Sequence, residues 1–226
     1  MNNQIFNWST RYNKTKSDPV YPTEWVIRTI AGANYPRYKY DKSNYKGKKI
    51  IDISCGDGRN LELLLNLGFD VYATEISEET VLSLSIRFPD VKFSVGFNHK
   101  HLFPDNFFDY ALACGSFYYL EEGTCFKDNL IELNRILKNN GLFFTNMSTK
   151  DTYVLENALN LQNGEFEITN DPHNCRNGFR WQVVNSEEEL KKLFSEYFNI
   201  IACSKLVDDY FGYLISNHIA VCQVLK

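Results

Sequence analysis

The sequence predicts a doubly wound α/β fold, and three observations carry that prediction. Strand-like apolar runs alternate with helical patterns from residue 49 to residue 147. A glycine pair, Gly56-Asp57-Gly58, follows the first run and stands at the mouth of the first helix. An acid, Glu75, ends the second run. The length of 226 residues, set against about 150 residues per domain, favours one domain with additions. A chain 44% hydrophobic and 23% charged lies in the globular range, which excludes disorder, collagen and low-complexity assemblies.

Residues 1–23 read as an irregular arm containing Trp8, Arg11 and Tyr12, and Glu24–Ala31 as a short helix. Lys49–Ser54 is a short β-branched run, the first strand. Asn60–Asn66 is helical, with Gly68 placed as its terminator. Val71–Thr74 is the second strand. Ser77 is positioned to cap a helix running to Arg87, whose first turn carries Glu78 and Glu79, and Pro89 closes the unit. Val91–Val95 and Phe108–Cys114 are strands three and four. Phe126, Leu130, Leu133 and Leu137 then form one apolar helical stripe, which Gly141 is expected to end before strand five, Leu142–Met147. Strands alternating with helices in this way imply right-handed crossovers and a parallel sheet covered on both faces. Beyond strand five, residues 148–185 are polar and aromatic, with Asp171-Pro172 and Asn177-Gly178 as turns. Ser186 to Glu189 is a capping box opening a helix to about Tyr197. Asn199–Cys203 and His218–Leu225 read as the last two strands, with a loop over 204–215 between them.

The 24 basic and 28 acidic side chains give a formal charge of −4, so no global field attracts nucleic acid or anionic membrane. No long apolar run marks a membrane span, and the start Met1-Asn2-Asn3-Gln4 lacks a secretory pattern, so a cytoplasmic protein is expected. The six cysteines form no C-x-x-C pair and read as buried free thiols. His99-Lys100-His101 lacks a third ligand, so it reads as solvated histidines and no metal site is expected.

The chemistry concentrates in Asp52-Ile53-Ser54-Cys55-Gly56-Asp57-Gly58-Arg59-Asn60. Two glycines one residue apart let the backbone approach a ligand at the carboxyl edge of the sheet, and an acid at Glu75 can accept both hydroxyl hydrogens of a ribose. A dinucleotide fingerprint wants a third small residue after the second glycine, but Arg59, Asn60 and Leu61 follow. There is no phosphate-cradling G-x-x-x-x-G-K-[ST] either. The sequence resembles the class I S-adenosylmethionine-dependent methyltransferases of small-molecule type. Asp52, Cys55, Gly56, Gly58 and Glu75 match their first motif and the acid ending the second strand. Pro104 to Asp109 and Arg135 to Gly141 look like the family's entries into strands four and five. The resemblance covers about residues 46–147. It departs at Ser54, where the family has a glycine, and at Phe97, where an aspartate often receives the adenine amino group.

The resemblance implies a Rossmann-like seven-stranded sheet, mostly parallel, with an antiparallel strand near the C-terminal edge. It implies one methyltransferase domain over 1–226: an arm and helix over the cofactor site (1–45), a cofactor core (46–147), an acceptor-side insertion (148–185) and a C-terminal helix and strand pair (186–226). The implied cofactor is S-adenosylmethionine, leaving as S-adenosylhomocysteine. Asp52 would orient its methionine amino group, Gly56 and Gly58 would admit it, Glu75 would hold the ribose, and Asn98 would replace the missing aspartate at adenine. The Cys114 carbonyl is a candidate for the amine, and Arg11 for the carboxylate. Trp8, Tyr12, Ser54, Cys55, Asn60 and Ile76 complete the cofactor set.

The absence of an Asn-Pro-Pro-Tyr sequence after strand four, with the negative charge, favours a small-molecule acceptor over nucleic acid or membrane. Tyr119, Asn174, Arg176, Asn177, Arg180, Trp181, Tyr210 and Tyr213 are its candidate contacts. For a hydroxyl acceptor the candidate bases are Tyr118, His173, Asp208, Asp209 and His218; an amine needs none. Relatives of this short architecture suggest small metabolites or surface-polysaccharide building blocks as acceptors. Two competing classes are a catalytically silent methyltransferase-like partner subunit and a nicotinamide-dependent oxidoreductase. The oligomeric state is not readable from the sequence.

Overall fold

A computed structural model describes residues 8, 10, 12, 19–32 and 45–226. Its helix α1 (Glu24–Val26) continues as a π-turn over Ile27–Ala31, burying Trp25, Val26 and Ile30. Four parallel strands follow: β1 (Lys49–Asp52), β2 (Asp70–Glu75), β3 (Lys92–Val95) and β4 (Phe108–Ala113). Helix α2 (Leu61–Asn66) links the first pair and stops where Gly68 takes a φ of 85°. Helix α3 (Glu78–Arg87) begins with Ser77, whose hydroxyl accepts from the Thr80 N–H at 3.3 Å. A short strand, β5 (Tyr119–Leu120), precedes helix α4 (Phe126–Ile136), where the Cys125 N–H donates to Asp128 Oδ2 at 2.8 Å.

Strand β6 (Leu137–Ser148) starts directly after α4, so Gly141 lies inside a strand and does not end the helix. The register jumps from Phe108↔Leu137 to Tyr110↔Leu142, a bulge that takes up residues 138–141. A Cβ on Gly141 would meet the Lys138 carbonyl oxygen at 2.9 Å and that of Asp109 at 3.2 Å. This glycine serves close backbone approach, not helix termination.

Residues 148–185 hold more regular structure than their polar sequence predicts. After a 3-10 turn at Tyr153–Leu155, β7 (Leu159–Gln162), β8 (Glu165–Glu167) and β9 (Arg180–Gln182) join β5 in an antiparallel sheet of order β5-β9-β8-β7. Helix α5 (Glu187–Phe194) is capped by Ser186, which accepts from the Glu189 N–H at 3.1 Å, and it ends three residues before Tyr197.

Strands β10 (Phe198–Tyr210) and β11 (Tyr213–Val224) pair along their whole length and meet at Phe211-Gly212, with φ values of 55° and 96°. The expected 204–215 loop is therefore a β-ribbon. Its residues have no continuous apolar face because they extend past the sheet into solvent, which is why sequence pattern alone reads them as irregular. The main sheet has seven strands in the order β10-β11-β6-β4-β1-β2-β3, with β11 antiparallel to both neighbours. This is the expected fold class.

Period-two alternation feeds two cores. Ile51, Ala111, Phe143 and Cys222 face α4, α5 and the small sheet, while Ile50, Leu112, Phe144 and Val221 face α1, α2 and α3. Among the described residues no helix is long and apolar enough to cross a membrane.

Candidate cofactor and acceptor cleft

Five parallel strands, β1 to β4 and β6, end on one edge of the sheet, where the backbone must turn and polar side chains can face a ligand. A cleft of about 420 Å³ opens there. The loop after β1 forms its floor. Ser54 occupies the left-handed region, with φ 53°, which explains why a glycine suits that position. Its hydroxyl compensates by donating to Asn98 Oδ1 at 3.2 Å. A Cβ on Gly56 would sit 2.7 Å from the Tyr12 hydroxyl, so no side chain fits beneath that ring. Gly58 plays a different part from the expected one. It does not line the cleft; its own Cβ would meet Phe88 at 2.7 Å, Leu61 at 3.1 Å and Leu84 at 3.2 Å, so it permits close packing between α2 and α3.

Two buried carboxylates define the electrostatics. Asp52 lies at the end of β1, and burial, reinforced by Glu75 and Asp57, pushes its pKa well above the usual range. Its Oδ2 has no partner among the described residues. Glu75, at the end of β2, accepts from the Gly56 N–H and the Ile76 N–H, both at 2.9 Å. Burial raises its pKa to about 7 against those two lowering hydrogen bonds. Each Glu75 oxygen keeps acceptor capacity for a ligand hydroxyl.

Cys55, Asn60, Ile76, Asn98 and Cys114 also line the cleft. The Asn98 amide donates to the Ser116 and Tyr119 carbonyls at 2.8 and 3.3 Å, so it ties two loops together as well as facing the cleft. Asn60 Oδ1 accepts from the Thr23 N–H at 3.1 Å, docking the segment before α1. Trp8 and Tyr12 stack at 5.5 Å and cover the opening. Arg11 lies outside the described residues.

On the other side, Tyr118, Tyr119, Arg176, Asp208 and Tyr210 reach the cleft. Burial drives the Tyr118 hydroxyl far above its ordinary pKa, so it is unsuited to act as a base. Several expected acceptor or base residues do not line the cleft. His218 alternates with Asn217 on β11; Asn217 faces the cleft and His218 faces away, near Cys203 Sγ at 3.9 Å. Asp209 accepts from the Gly212 N–H at 2.7 Å and closes the ribbon turn. Asn174 accepts from Asn177 Nδ2 at 2.8 Å within its own turn. Arg180 is held by Glu165 at 3.2 Å and by the Glu121 and Thr124 carbonyls at 2.7 and 2.9 Å. Trp181 is buried behind the wall, 4.5 Å from the Tyr118 ring and 5.2 Å from the Tyr119 ring. His173 and Tyr213 contact each other at 5.7 Å outside the cleft lining.

Asn146 and Asn217 are cleft residues that the sequence reading overlooked. Asn146 accepts from the Gly115 N–H at 2.7 Å and donates to Asn217 Oδ1 at 3.3 Å, which also accepts from Ser148 at 3.2 Å. Their signal was present: amides inside apolar strand patterns, near the ligand edge of the sheet.

The remaining histidine and cysteine expectations also need correction. His101 is buried, not solvated, and burial lowers its pKa to about 4. Cys55, Cys175 and Cys222 are buried, but Cys125 is exposed and Cys114 and Cys203 are half-buried. Among the described residues no three potential metal ligands cluster.

Comparison with known proteins agrees with this geometry. Residues 51–145 match the family model described as a methyltransferase domain. An uncharacterized protein of Haemophilus influenzae is 28% identical over 155 residues, covering 62% of this chain and 57% of its own length. A SAM-dependent methyltransferase of Methanosarcina mazei superposes with a TM-score of 0.64 at 19% identity, covering 85% of this chain and 98% of that one. The 1,6-didemethyltoxoflavin-N1-methyltransferase of Burkholderia thailandensis, solved with bound 1,6-didemethyltoxoflavin and S-adenosylhomocysteine, gives a TM-score of 0.66 at 14% identity, covering 99% of this chain and 88% of that one. The fold is shared with solved S-adenosylmethionine-dependent methyltransferases. Residues 51–145 of this chain thus match a methyltransferase domain, and S-adenosylmethionine is the group against which the cleft is tested. The residues present fit it: an unpartnered buried carboxylate oxygen, a second carboxylate with acceptor capacity, and a turn without room for a side chain.

Proposed function

We propose that this protein transfers the methyl group of S-adenosylmethionine to a hydroxyl or amine of a small molecule. The observation that carries the proposal is the pairing of Asp52 and Glu75 around Gly56 in the same cleft as Tyr119, Arg176 and Asp208. The cofactor, when bound, supplies an electrophilic methyl and a neutral leaving group. Asp52 would ionise to hold the cofactor's ammonium group, directly or through water. Glu75 would accept the ribose hydroxyls with the lone pairs its two backbone donors leave free. Ile76 and Asn98 would flank the adenine, and Trp8 and Tyr12 would exclude water. Residues 46–147 would hold the cofactor, Trp8 and Tyr12 would cover it, and 148–185 with the β10–β11 ribbon would shape the acceptor side.

For the acceptor, the protein's main contribution is position. Holding two reactants in line can supply about 7–11 kcal/mol in favourable intramolecular cases. Of the candidate bases Tyr118 and Asp208 line the cleft, and burial keeps the Tyr118 hydroxyl protonated, so a hydroxyl acceptor would lose its proton to Asp208. Small metabolites and surface-polysaccharide building blocks fall within this acceptor class.

Calorimetric titration with S-adenosylhomocysteine and with NAD tests the cofactor, with binding of the first and not the second expected. Incubation with isotope-labelled S-adenosylmethionine and pooled metabolites, read by mass spectrometry, tests the transfer through a one-methyl mass gain. Binding without any labelled product from any pool would favour a silent partner subunit.

A further inference from the structure

Methyl transfer as proposed above makes no use of the cation on the acceptor side. The turn at residues 171–178 is built around the fully buried carboxylate of Asp171. Its Oδ2 accepts from the Cys175 N–H at 3.0 Å, Cys175 Sγ at 3.2 Å and the Arg176 N–H at 3.0 Å. Its Oδ1 accepts from the His173 N–H at 3.2 Å and from Arg176 Nη1 at 3.1 Å. The Asp171 charge is thus shared among five donors, and the guanidinium supplies one of them. Most of the fork of Arg176 remains for other partners.

The Arg176 side chain is only 15% exposed, yet it lines the cleft. Its guanidinium lies 5.8 Å from the Trp8 ring centre, and its positive charge acts on the Tyr119 hydroxyl. A guanidinium held by Asp171 against the Trp8 ring is preorganised, and desolvating it leaves N–H groups that gain most from an oxyanion. Among the described residues the other arginine in the cleft wall, Arg59, is closed on Asp57 by contacts of 2.9 and 2.6 Å. Glu121 and Asp208 also line the cleft. A phosphate monoester, with nearly two charges at neutral pH, would meet these acids with one cation among the described residues to balance it. A carboxylate matches a single guanidinium in charge and in planar geometry. The neighbouring rings of Trp8, Tyr119 and Phe179 suit a flat apolar body.

We propose that Arg176 anchors a carboxylate on the methyl acceptor, so that the substrates are monoanionic, flat carboxylic acids bearing the hydroxyl or amine to be methylated. This inference rests on the methyltransferase reading and narrows its substrate class.

Calorimetry with S-adenosylhomocysteine at saturation tests it, using salicylate and anthranilate against salicylamide and anthranilamide, with phenyl phosphate as a further probe. The acids should bind at least about tenfold more tightly than the amides. Arg176→Met should abolish that preference and Arg176→Lys should keep part of it, with S-adenosylhomocysteine affinity within about twofold throughout. Equal binding of acids and amides, no binding of either acid, or tighter binding of phenyl phosphate would overturn the proposal. So would an Arg176→Met protein that loses S-adenosylhomocysteine affinity but keeps the acid preference, since the cation would then serve the cofactor. If Arg176→Met fails to fold, the acid-over-amide ratio of the unmutated protein and of Arg176→Lys decides. Failure of S-adenosylhomocysteine to bind the unmutated protein would count against the methyltransferase reading instead; acid binding is then measured without it.

Discussion

Glu75 links protonation to both stability and ligand binding. Its folded pKa of about 7 exceeds the ordinary 4.5, so the folded state holds a proton that the unfolded state has released between those values. The stability it contributes is complete below pH 4.5 and is lost as pH rises through about 7. At about 1.4 kcal/mol per pKa unit the loss is on the order of 3 kcal/mol. Urea unfolding of the ligand-free protein should show stability falling from pH 5 to pH 8, with a shallower fall in Glu75→Gln; Asp52 adds a slope of the same sign. The left-handed backbone at Ser54 gives a second test. Ser54→Ala keeps the strain and loses the bond to Asn98, and should cost about 1 kcal/mol. Ser54→Gly exchanges the bond for strain relief and should stay within about 0.5 kcal/mol of the unmutated protein.

Elements explain which parts of the site were legible in the sequence. The β1-turn-α2 unit and the acid ending β2 were readable because local pattern and fold agree there: an apolar run, a glycine pair, a helix, then a carboxylate at the strand end. The acceptor side was less legible because its residues are placed by long-range pairing. Tyr119 faces the cleft because β5 pairs with β9 at Tyr119↔Trp181, and residues 148–185 carry no periodicity that announces this sheet. His218 failed as a base for a single-residue reason: strand alternation decides between it and Asn217, and only the register settles which side faces the ligand. Gly141 was correctly seen as special, but for a helix end instead of a strand bulge. Gly141→Ala should push against two backbone oxygens and cost about 1–3 kcal/mol, readable as a lower urea midpoint with an unchanged m-value.

For the whole molecule, binding and protonation are coupled. Asp52 has a raised pKa and, in the role proposed for it, must ionise to hold an ammonium group, while Glu75 in its proposed role accepts hydroxyls better when charged. S-adenosylhomocysteine affinity should therefore increase between pH 6 and pH 8, with proton release seen as a buffer-dependent heat in calorimetry; a flat affinity would contradict this assignment. At about 100 times its Kd the ligand should add about 2.7 kcal/mol of stability. Glu75→Ala should lower the affinity by about tenfold or more, equivalent to at least about 1.4 kcal/mol.

The ribbon formed by β10 and β11 has a consequence for how such a protein diversifies. Leu206, Asp208 and Tyr210 look inward from one leg, Ile215 and Asn217 from the other, while the same two strands continue into the central sheet. Adding or removing one residue pair at the tip would preserve the register below and the inward parity of every remaining side chain. An evolving lineage can thus trim or extend one wall of the chamber in steps of two, leaving the opposite wall around Asp52, Gly56 and Glu75 untouched.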